Sequence, residues 1–193
     1  LEGDTKFGEL KKSYAKGKEL RGKTMGIVGF GRIGREVAKI ALGCGMKVIY
    51  SDSFVENAAI SLAFYDGQKV NFSFKTQSLE SLLKESDFIS LHVPAQKEYV
   101  IGASEISQMK NGAALINAAR GGVIDEVALI EALENKKLSF AALDVFENEP
   151  TPEIKILMNT KISLSPHIGA ATLEAQDRIG EELAEQIISI SKA

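Results

Sequence analysis

The 193-residue sequence lacks the features that mark several large classes of protein. Its one cysteine, Cys44, allows no disulfide within the chain, which fits a reducing compartment such as the cytoplasm. The two histidines and that cysteine lie far apart in sequence, so we expect no metal site. Because 26 acidic residues outnumber 23 basic ones, we expect no nucleic-acid partner. There is also no apolar run long enough for a membrane span, and no serine in a nucleophile elbow.

What the chain does contain is the composition and pattern of an α/β protein. Hydrophobic residues make up 45% and charged residues 25%, without repeats, low-complexity tracts or an internal linker. Apolar strands that alternate with helices are typical of a parallel sheet covered on both faces. We therefore predict one domain over 1–193, a doubly wound, Rossmann-type sheet with its core at about 20–170. The predicted strands are 24–28, 47–51, 69–75, 88–93, 113–117, 140–145 and 162–164; the predicted helices are 7–18, 33–42, 77–84, 103–109, 126–135 and 173–190.

Local signals refine these elements. Residues 55–63 could form a further helix, while the alternation at 69–75 predicts a strand. Ile40 is expected to face inward from its helix. Asp125 and Thr172 precede two of the helices and are predicted to cap them.

A glycine-rich turn joins the first strand to its helix in the run Gly29-Phe30-Gly31-Arg32-Ile33-Gly34. Gly29 allows the tight turn, Gly31 lets a pyrophosphate approach the backbone, and Gly34 lets the helix pack close to the strand. The start of that helix favours an anion, and Arg32 could reach a phosphate too. The pattern predicts a dinucleotide site, although flavin and S-adenosyl ligands use similar glycines.

An acidic residue at the end of the next strand indicates which dinucleotide binds. Asp52 follows Gly34 by 18 residues, near the spacing of about 20 that such sites show. Its carboxylate can accept both ribose hydroxyls and would repel a 2′-phosphate, and no arginine follows it closely. We therefore expect NAD rather than NADP.

Three polar residues that follow short apolar runs suggest chemistry on a small acid. The planar fork of Arg120 matches a carboxylate, and the glycines at 121–122 are expected to leave space beside it. His167 can give and take a proton near neutral pH. Glu149 is the expected partner of that imidazole, with Glu147 as the alternative. The ordinary explanations, a surface arginine and a structural histidine, stay open here.

Two further residues lie at strand ends. Asp144 could bond to a nicotinamide carboxamide or simply cap its strand, and His92 could form a wall of a cofactor pocket.

Taken together, these motifs resemble the NAD-binding domain of the D-isomer specific 2-hydroxyacid dehydrogenase family. The resemblance runs from about Leu20 to the end of the chain, with the motifs in family order. It implies Arg120 as substrate clamp, His167 as general acid/base and Glu149 as its partner. The cofactor site that it implies consists of Gly29, Gly31, Arg32, Ile33, Gly34, Asp52, His92, Val93, Pro94, Ala118, Ala119, Arg120, Asp144, His167 and Gly169.

Within the family, the chain most resembles members that oxidise 3-phospho-D-glycerate to 3-phosphohydroxypyruvate in serine biosynthesis. The alternatives are another 2-hydroxyacid dehydrogenase, acting on glyoxylate, hydroxypyruvate or D-lactate, and a non-catalytic NAD-sensing interaction module. The family also implies a homodimer formed through this domain.

The sequence departs from the family pattern in three ways. Gln96 and Tyr99 stand where the family often has threonines, and the stretch 53–77 is longer than usual. The chain also lacks most of what the family places in its second, substrate-binding domain, which fits its start at Leu1 rather than methionine. We therefore expect a fragment without most of its substrate-binding domain, one that binds NAD but turns over poorly.

Overall fold

A computed structural model of the chain describes residues 6–15 and 17–192. Residues 1–5, 16 and 193, and with them parts of the predicted helix 7–18 and of the predicted domain 1–193, lie outside the described residues. The strands are β1 Thr24–Val28, β2 Lys47–Ser51, β3 Asn57–Ala63, β4 Lys69–Lys75, β5 Phe88–Leu91, β6 Ala113–Asn117, β7 Leu138–Leu143 and β8 Ile162–Leu164. The helices are α1 Phe7–Tyr14, α2 Arg32–Gly43, α3 Leu79–Glu85, α4 Ala103–Gln108, α5 Glu126–Glu134, α6 Ile154–Leu157 and α7 Leu173–Ser191.

Six of these strands form one parallel sheet in the order β2-β1-β5-β6-β7-β8. This confirms the predicted Rossmann-type fold. From β1 the chain first adds β2 on one side and later adds β5 on the other. In open sheets of this kind, ligands bind outside the carboxyl ends of the strands near that reversal.

Two apolar clusters hold the sheet and helices together. The larger includes Ile89 of β5, Leu115 of β6 and Leu129 of α5, all fully buried. The smaller joins residues of β1, β2, α2 and β3 and includes Phe30 and Tyr50, whose rings stack with centroids 3.9 Å apart. Each fully buried side chain of this size contributes roughly 1.5–3 kcal/mol of transfer free energy. The smaller cluster therefore gives the glycine turn, which contains Phe30, a packed base.

The inward face predicted for α2 is wrong at one position. Gly34, Ala38 and Ala41 are its buried residues, whereas Ile40 is 68% exposed. Successive helical residues are about 100° apart, so a residue next to Ala41 points well away from the face that Ala41 buries.

Both predicted helix caps are confirmed. Asp125 accepts hydrogen bonds from the N–H groups of Val127 and Ala128, and Thr172 accepts one from Ala175. Caps of this kind stabilise a helix start by about 1 kcal/mol.

The helix suggested for 55–63 is wrong, because this segment forms β3. It pairs antiparallel with β4 in a separate two-stranded sheet, and the predicted strand at 69–75 is confirmed as β4. Burial alternates along β3: Ala58 and Ile60 are 8% and 2% exposed, while Ala59 and Ser61 face outward. This period of two is the pattern of a half-buried strand.

Among the described residues, no helix combines the length and the apolar character that a membrane crossing requires.

Candidate active site

The predicted site residues follow the carboxyl ends of the parallel strands. Because these ends lie at one edge of the sheet, residues far apart in sequence share that edge. From β1 to β8 the edge spans four inter-strand spacings, about 19 Å at roughly 4.8 Å each. The residues that follow successive strands are Gly29 after β1, Asp52 after β2, His92 after β5, Ala118 after β6, Asp144 after β7 and His167 after β8.

The glycine turn has the shape of a phosphate cradle. Gly29 has φ +90°, and a Cβ there would lie 2.5 Å from the carbonyl oxygen of His92. A Cβ on Gly34 would overlap the carbonyl oxygen of Gly29. By contrast, a Cβ on Gly31 would meet nothing within 4 Å, and Gly31 caps α2 without a side-chain bond. An open helix N-terminus with exposed N–H groups fits a pyrophosphate.

The two residues after Gly31 are exposed. Ile33 is 66% exposed on the first turn of α2. The Arg32 side chain, which we expected to reach a phosphate, instead donates two hydrogen bonds to Glu182 of α7.

Asp52 ties the glycine turn to the loop after β2. Its Oδ2 accepts a hydrogen bond of 2.6 Å from the N–H of Phe30, and its Oδ1 accepts bonds of 2.8 and 3.0 Å from Phe54 and Val55. Burial raises the pKa of Asp52, but the three N–H donors outweigh that effect and lower it. The carboxylate is therefore charged at neutral pH, and each oxygen keeps acceptor capacity for a ribose hydroxyl.

The segment after β5 forms the opposite wall of the glycine turn. The carbonyl of His92 and the side chain of Val93 are the atoms that a Cβ on Gly29 would meet, and Pro94 follows them. The Nε2 of His92 lies 2.9 Å from the Oγ of Ser90. Burial lowers the pKa of His92 to about 4, so the ring is neutral at physiological pH.

Arg120 follows a turn that Asn117 braces. The side chain of Asn117 accepts a bond from the N–H of Ala119 and donates one to the carbonyl of Arg120. Ala119 is buried, whereas Ala118 and Arg120 are exposed, and the Nη1 of Arg120 donates to the carbonyl of Ala119 at 2.6 Å. Sequence reasoning missed the bracing by Asn117, because only the folded turn brings its amide onto these backbone groups.

The two glycines after Arg120 do different things. The expectation that both leave space is wrong for Gly121, where a Cβ would overlap the carbonyl of Phe146. Gly121 therefore lets the loops after β6 and β7 meet. Gly122 has φ +75° and borders open space.

His167 and Glu149 lie in direct contact. The Nδ1 of His167 is 2.8 Å from Oε2 of Glu149, whose Oε1 accepts a bond from the N–H of Phe146. Both side chains are part-exposed, at 49% and 35%. The bond with His167 lowers the pKa of Glu149, and the N–H of Phe146 adds to this. Glu149 is therefore an anion at neutral pH, and Nε2 is the ring nitrogen that stays available.

Glu147, the alternative partner, is engaged elsewhere. It accepts a bond from the N–H of Glu126, and Glu126 accepts one in return from the N–H of Glu147, both at 2.9 Å. This reciprocal pair joins the start of α5 to the loop after β7. The role of Glu126 was not predicted, because no sequence pattern indicates a buried carboxylate at the first turn of α5.

Asp144 holds the loop that carries His167. Its Oδ1 accepts bonds from the hydroxyl of Ser165 and the N–H of Ile168, and its Oδ2 accepts one from the N–H of Gly169. Although burial raises the pKa of Asp144, these donors lower it overall. His167 sits inside this loop at φ +53°, in the left-handed region. Such a conformation in a non-glycine residue requires support from its surroundings, and Asp144 provides it.

A cavity of about 420 Å³ adjoins the histidine–glutamate pair. Its walls are mostly apolar, with Glu149 and His167 among the lining residues. Among the described residues, no group of three or more histidine, cysteine or acidic side chains has the arrangement of a metal site.

Comparison with known proteins adds family information to this geometry. The model of the family described as "D-isomer specific 2-hydroxyacid dehydrogenase, NAD binding domain" matches residues 2–169. A hydroxypyruvate reductase from Thermotoga maritima is 46% identical over 187 residues, 94% of this chain and 57% of the relative. A glyoxylate reductase from Thermococcus litoralis is 45% identical over 175 residues, which are 90% of this chain and 50% of the relative. A D-3-phosphoglycerate dehydrogenase from Archaeoglobus fulgidus is 40% identical over 190 residues, which are 97% of this chain and 34% of the relative. The chain thus spans about half or less of the length of these relatives.

Solved structures show the same likeness. A glyoxylate reductase from Paecilomyes thermophila superposes with a TM-score of 0.73 at 40% identity, covering 85% of this chain and 48% of the other. A D-lactate dehydrogenase from Aquifex aeolicus, complexed with NAD and lactic acid, gives a TM-score of 0.72 at 34% identity, covering 96% and 60%.

Proposed function

This chain belongs to the D-isomer specific 2-hydroxyacid dehydrogenase family, with NAD as the cofactor of the matched domain, and from that premise we propose that it carries the acid/base of the reaction. The contact between His167 and Glu149 is the observation that carries this proposal. The pair lies at the same sheet edge as the glycine turn, where a dinucleotide would bind. The whole protein would interconvert a D-2-hydroxy acid and its 2-oxo acid.

Each residue has a defined task in the oxidation direction. NAD, when bound, supplies the hydride acceptor. Arg120 binds the substrate carboxylate and stabilises negative charge that develops on the reacting oxygen. The Nε2 of neutral His167 takes the hydroxyl proton as the carbonyl forms, and Glu149 stabilises the positive charge that the ring acquires. In the reduction direction, the same ring returns that proton to the carbonyl oxygen.

The proposed cofactor contacts lie at the carboxyl ends of the strands. The pyrophosphate would meet the open N-terminus of α2 at Gly31, and the ribose would meet Asp52. His92, Val93 and Ala118 would line the crevice between these ends. Asp144 keeps capacity on Oδ2 for a nicotinamide amide, besides its bonds to the loop of His167.

The substrate of this reaction has two candidate assignments. The sequence led us to 3-phospho-D-glycerate, and the relative from Archaeoglobus fulgidus supports that candidate. Hydroxypyruvate and glyoxylate are the second candidate, favoured by the relatives at 46% and 45% identity. A panel of these acids and D-lactate, followed through NADH absorbance with the full-length protein, decides between them.

The same assay tests the function itself. We expect His167→Ala to reduce turnover by about 10²–10⁴-fold, the usual contribution of general acid/base catalysis, while NAD binding persists. NAD binding without turnover of any acid in the panel would instead identify an NAD-sensing interaction module. The expected poor turnover by the 193-residue chain alone stays a prediction and is measured alongside.

A further inference from the structure

One ion pair joins the glycine turn to the C-terminal helix. The Nη1 of Arg32 lies 2.7 Å from Oε2 of Glu182, and its Nη2 lies 2.8 Å from Oε1. This bidentate geometry is the strongest arrangement that an arginine and a carboxylate form. The pair borders a cleft of about 820 Å³ between α2, β3 and α7.

The ion pair engages the Arg32 guanidinium, which is the group that a phosphate would need. Arg32 follows Gly31 directly, at the open helix start that fits a pyrophosphate. A guanidinium presents the same planar fork to a phosphate as to a carboxylate, so one fork cannot serve both ligands at full strength. Two other cations of the cleft are engaged as well: Arg35 donates to the carbonyl of Phe30, and Lys39 lies 2.6 Å from Glu36. The fourth, Arg178, lies on α7 four residues before Glu182 and does not belong to the glycine turn.

The pair can open without disturbing the core. Within the described part of the chain, α7 has no buried residue. The two side chains are 84% and 43% exposed. Water and salt screen an exposed ion pair of this kind, so it is weak and a dianionic ligand can compete with it.

We propose that Glu182 competes with the cofactor's pyrophosphate for Arg32, so that α7 sets the affinity of this chain for NAD. The inference rests on the proposed cofactor site and adds a residue outside it. Glu182 acts through Arg32 and is a positioning residue. Removing its carboxylate frees the guanidinium and also removes a negative charge near the phosphates.

Calorimetric titration of NAD into the 193-residue chain tests the competition. Glu182→Gln keeps the size of the side chain and its place in the helix, and we expect its Kd to be about two- to five-fold lower than that of the original chain. Glu181→Gln is the matched control, because it removes the same charge from the neighbouring exposed position. Its Kd should stay unchanged.

A double-mutant cycle separates competition from a general effect of charge or stability. In the Arg32→Gln background, Glu182→Gln should no longer change the Kd. Thermal melting without NAD checks that the variants are equally folded. An unchanged or weaker affinity in Glu182→Gln, or an equal gain in Glu181→Gln or in the Arg32→Gln background, would overturn the competition. Failure of the unsubstituted chain to bind NAD would overturn the proposed cofactor site as well.

Discussion

At the scale of single residues, several side chains at the site support a neighbour. Asp144 accepts three hydrogen bonds from the loop that carries His167, and Asn117 braces the turn before Arg120. Glu147 and Glu126 secure the loop from which Glu149 extends. The geometry of His167 and Glu149 therefore depends on carboxylate and amide side chains that hold the surrounding loops in place.

Asp144 offers a direct test of this dependence. Asp144→Ala leaves the donors of Ser165, Ile168 and Gly169 without their shared acceptor, and His167 without support for its left-handed backbone. We expect the free energy of unfolding to fall by about 1–3 kcal/mol, and turnover by the full-length protein to fall at least about tenfold. Urea unfolding and steady-state kinetics measure the two effects.

Asp125→Ala is the matched control for that variant. It removes the cap of α5 and should cost about 1 kcal/mol of stability. Because this cap makes no bond to the loop of His167, turnover should hold. Equal losses of turnover in the two variants would show that Asp144 matters only through stability.

His92 gives a prediction about pH. Its pKa is about 4 in the folded chain and about 6.5 in an unfolded one. Above pH 6.5 both states hold the ring neutral, whereas between pH 6.5 and 4 only the unfolded state gains the proton. The free energy of unfolding should therefore decrease as pH falls through this window.

Urea unfolding at several pH values checks that decrease against His92→Gln. The variant carries no titrating ring and should show a shallower slope between pH 6.5 and 4. Identical slopes would mean that burial of His92 does not couple to folding.

At the scale of elements, the sequence predicted well wherever strand and helix patterns differed, and failed where alanine obscured them. The strands of the parallel sheet are short apolar runs, which identified them and placed the site residues at their carboxyl ends. In β3, alanine at 58, 59 and 63 suits a helix as well as a strand. Only the antiparallel pairing with β4 selects the strand, and that is a tertiary effect.

The site residues that were not predicted are also those whose contacts depend on tertiary structure. Glycine turns and strand ends are local, so Gly29, Asp52 and His167 could be proposed from the sequence. The contact between Glu126 and Glu147 and the pair of Arg32 with Glu182 join distant segments. No local pattern encodes them.

The β3–β4 hairpin completes the packing beneath the glycine turn, which can be tested at Ile60. This residue is 2% exposed and belongs to the cluster of Phe30 and Tyr50. Ile60→Ala should lower the free energy of unfolding by about 2–5 kcal/mol, and weaken NAD binding because Phe30 loses part of its base. Chemical unfolding and calorimetric titration measure these changes.

Val70→Ala provides the comparison on the paired strand. Val70 is 46% exposed, so its truncation should change stability by no more than about 0.5 kcal/mol. A small loss in Ile60→Ala, or an equal loss in both variants, would argue against the hairpin as a support for the turn.

At the scale of the whole molecule, one ligand is expected to join the two ends of the sheet edge. The glycine turn after β1 and the loop of His167 after β8 belong to different packing regions, yet a dinucleotide that follows the edge would contact both. Such a ligand binds the folded state alone and therefore stabilises it. The expected homodimer stays a prediction, which sedimentation equilibrium can measure with and without NAD.

Gly31 and Gly34 separate cofactor binding from folding. At 100 times its Kd, NAD should add about 2.7 kcal/mol, which for a chain of this size raises Tm by roughly 5–11 °C. A Cβ on Gly31 meets no protein atom within 4 Å, so Gly31→Ala should fold normally but fill the space needed by the pyrophosphate. We expect its Tm without NAD to be unchanged and the NAD-induced rise to vanish. Gly34→Ala should instead lower the Tm without NAD, since its Cβ would overlap the carbonyl of Gly29. A full NAD-induced rise in Gly31→Ala would show that the pyrophosphate binds elsewhere, and the assignment of the glycine turn as its cradle would then be wrong.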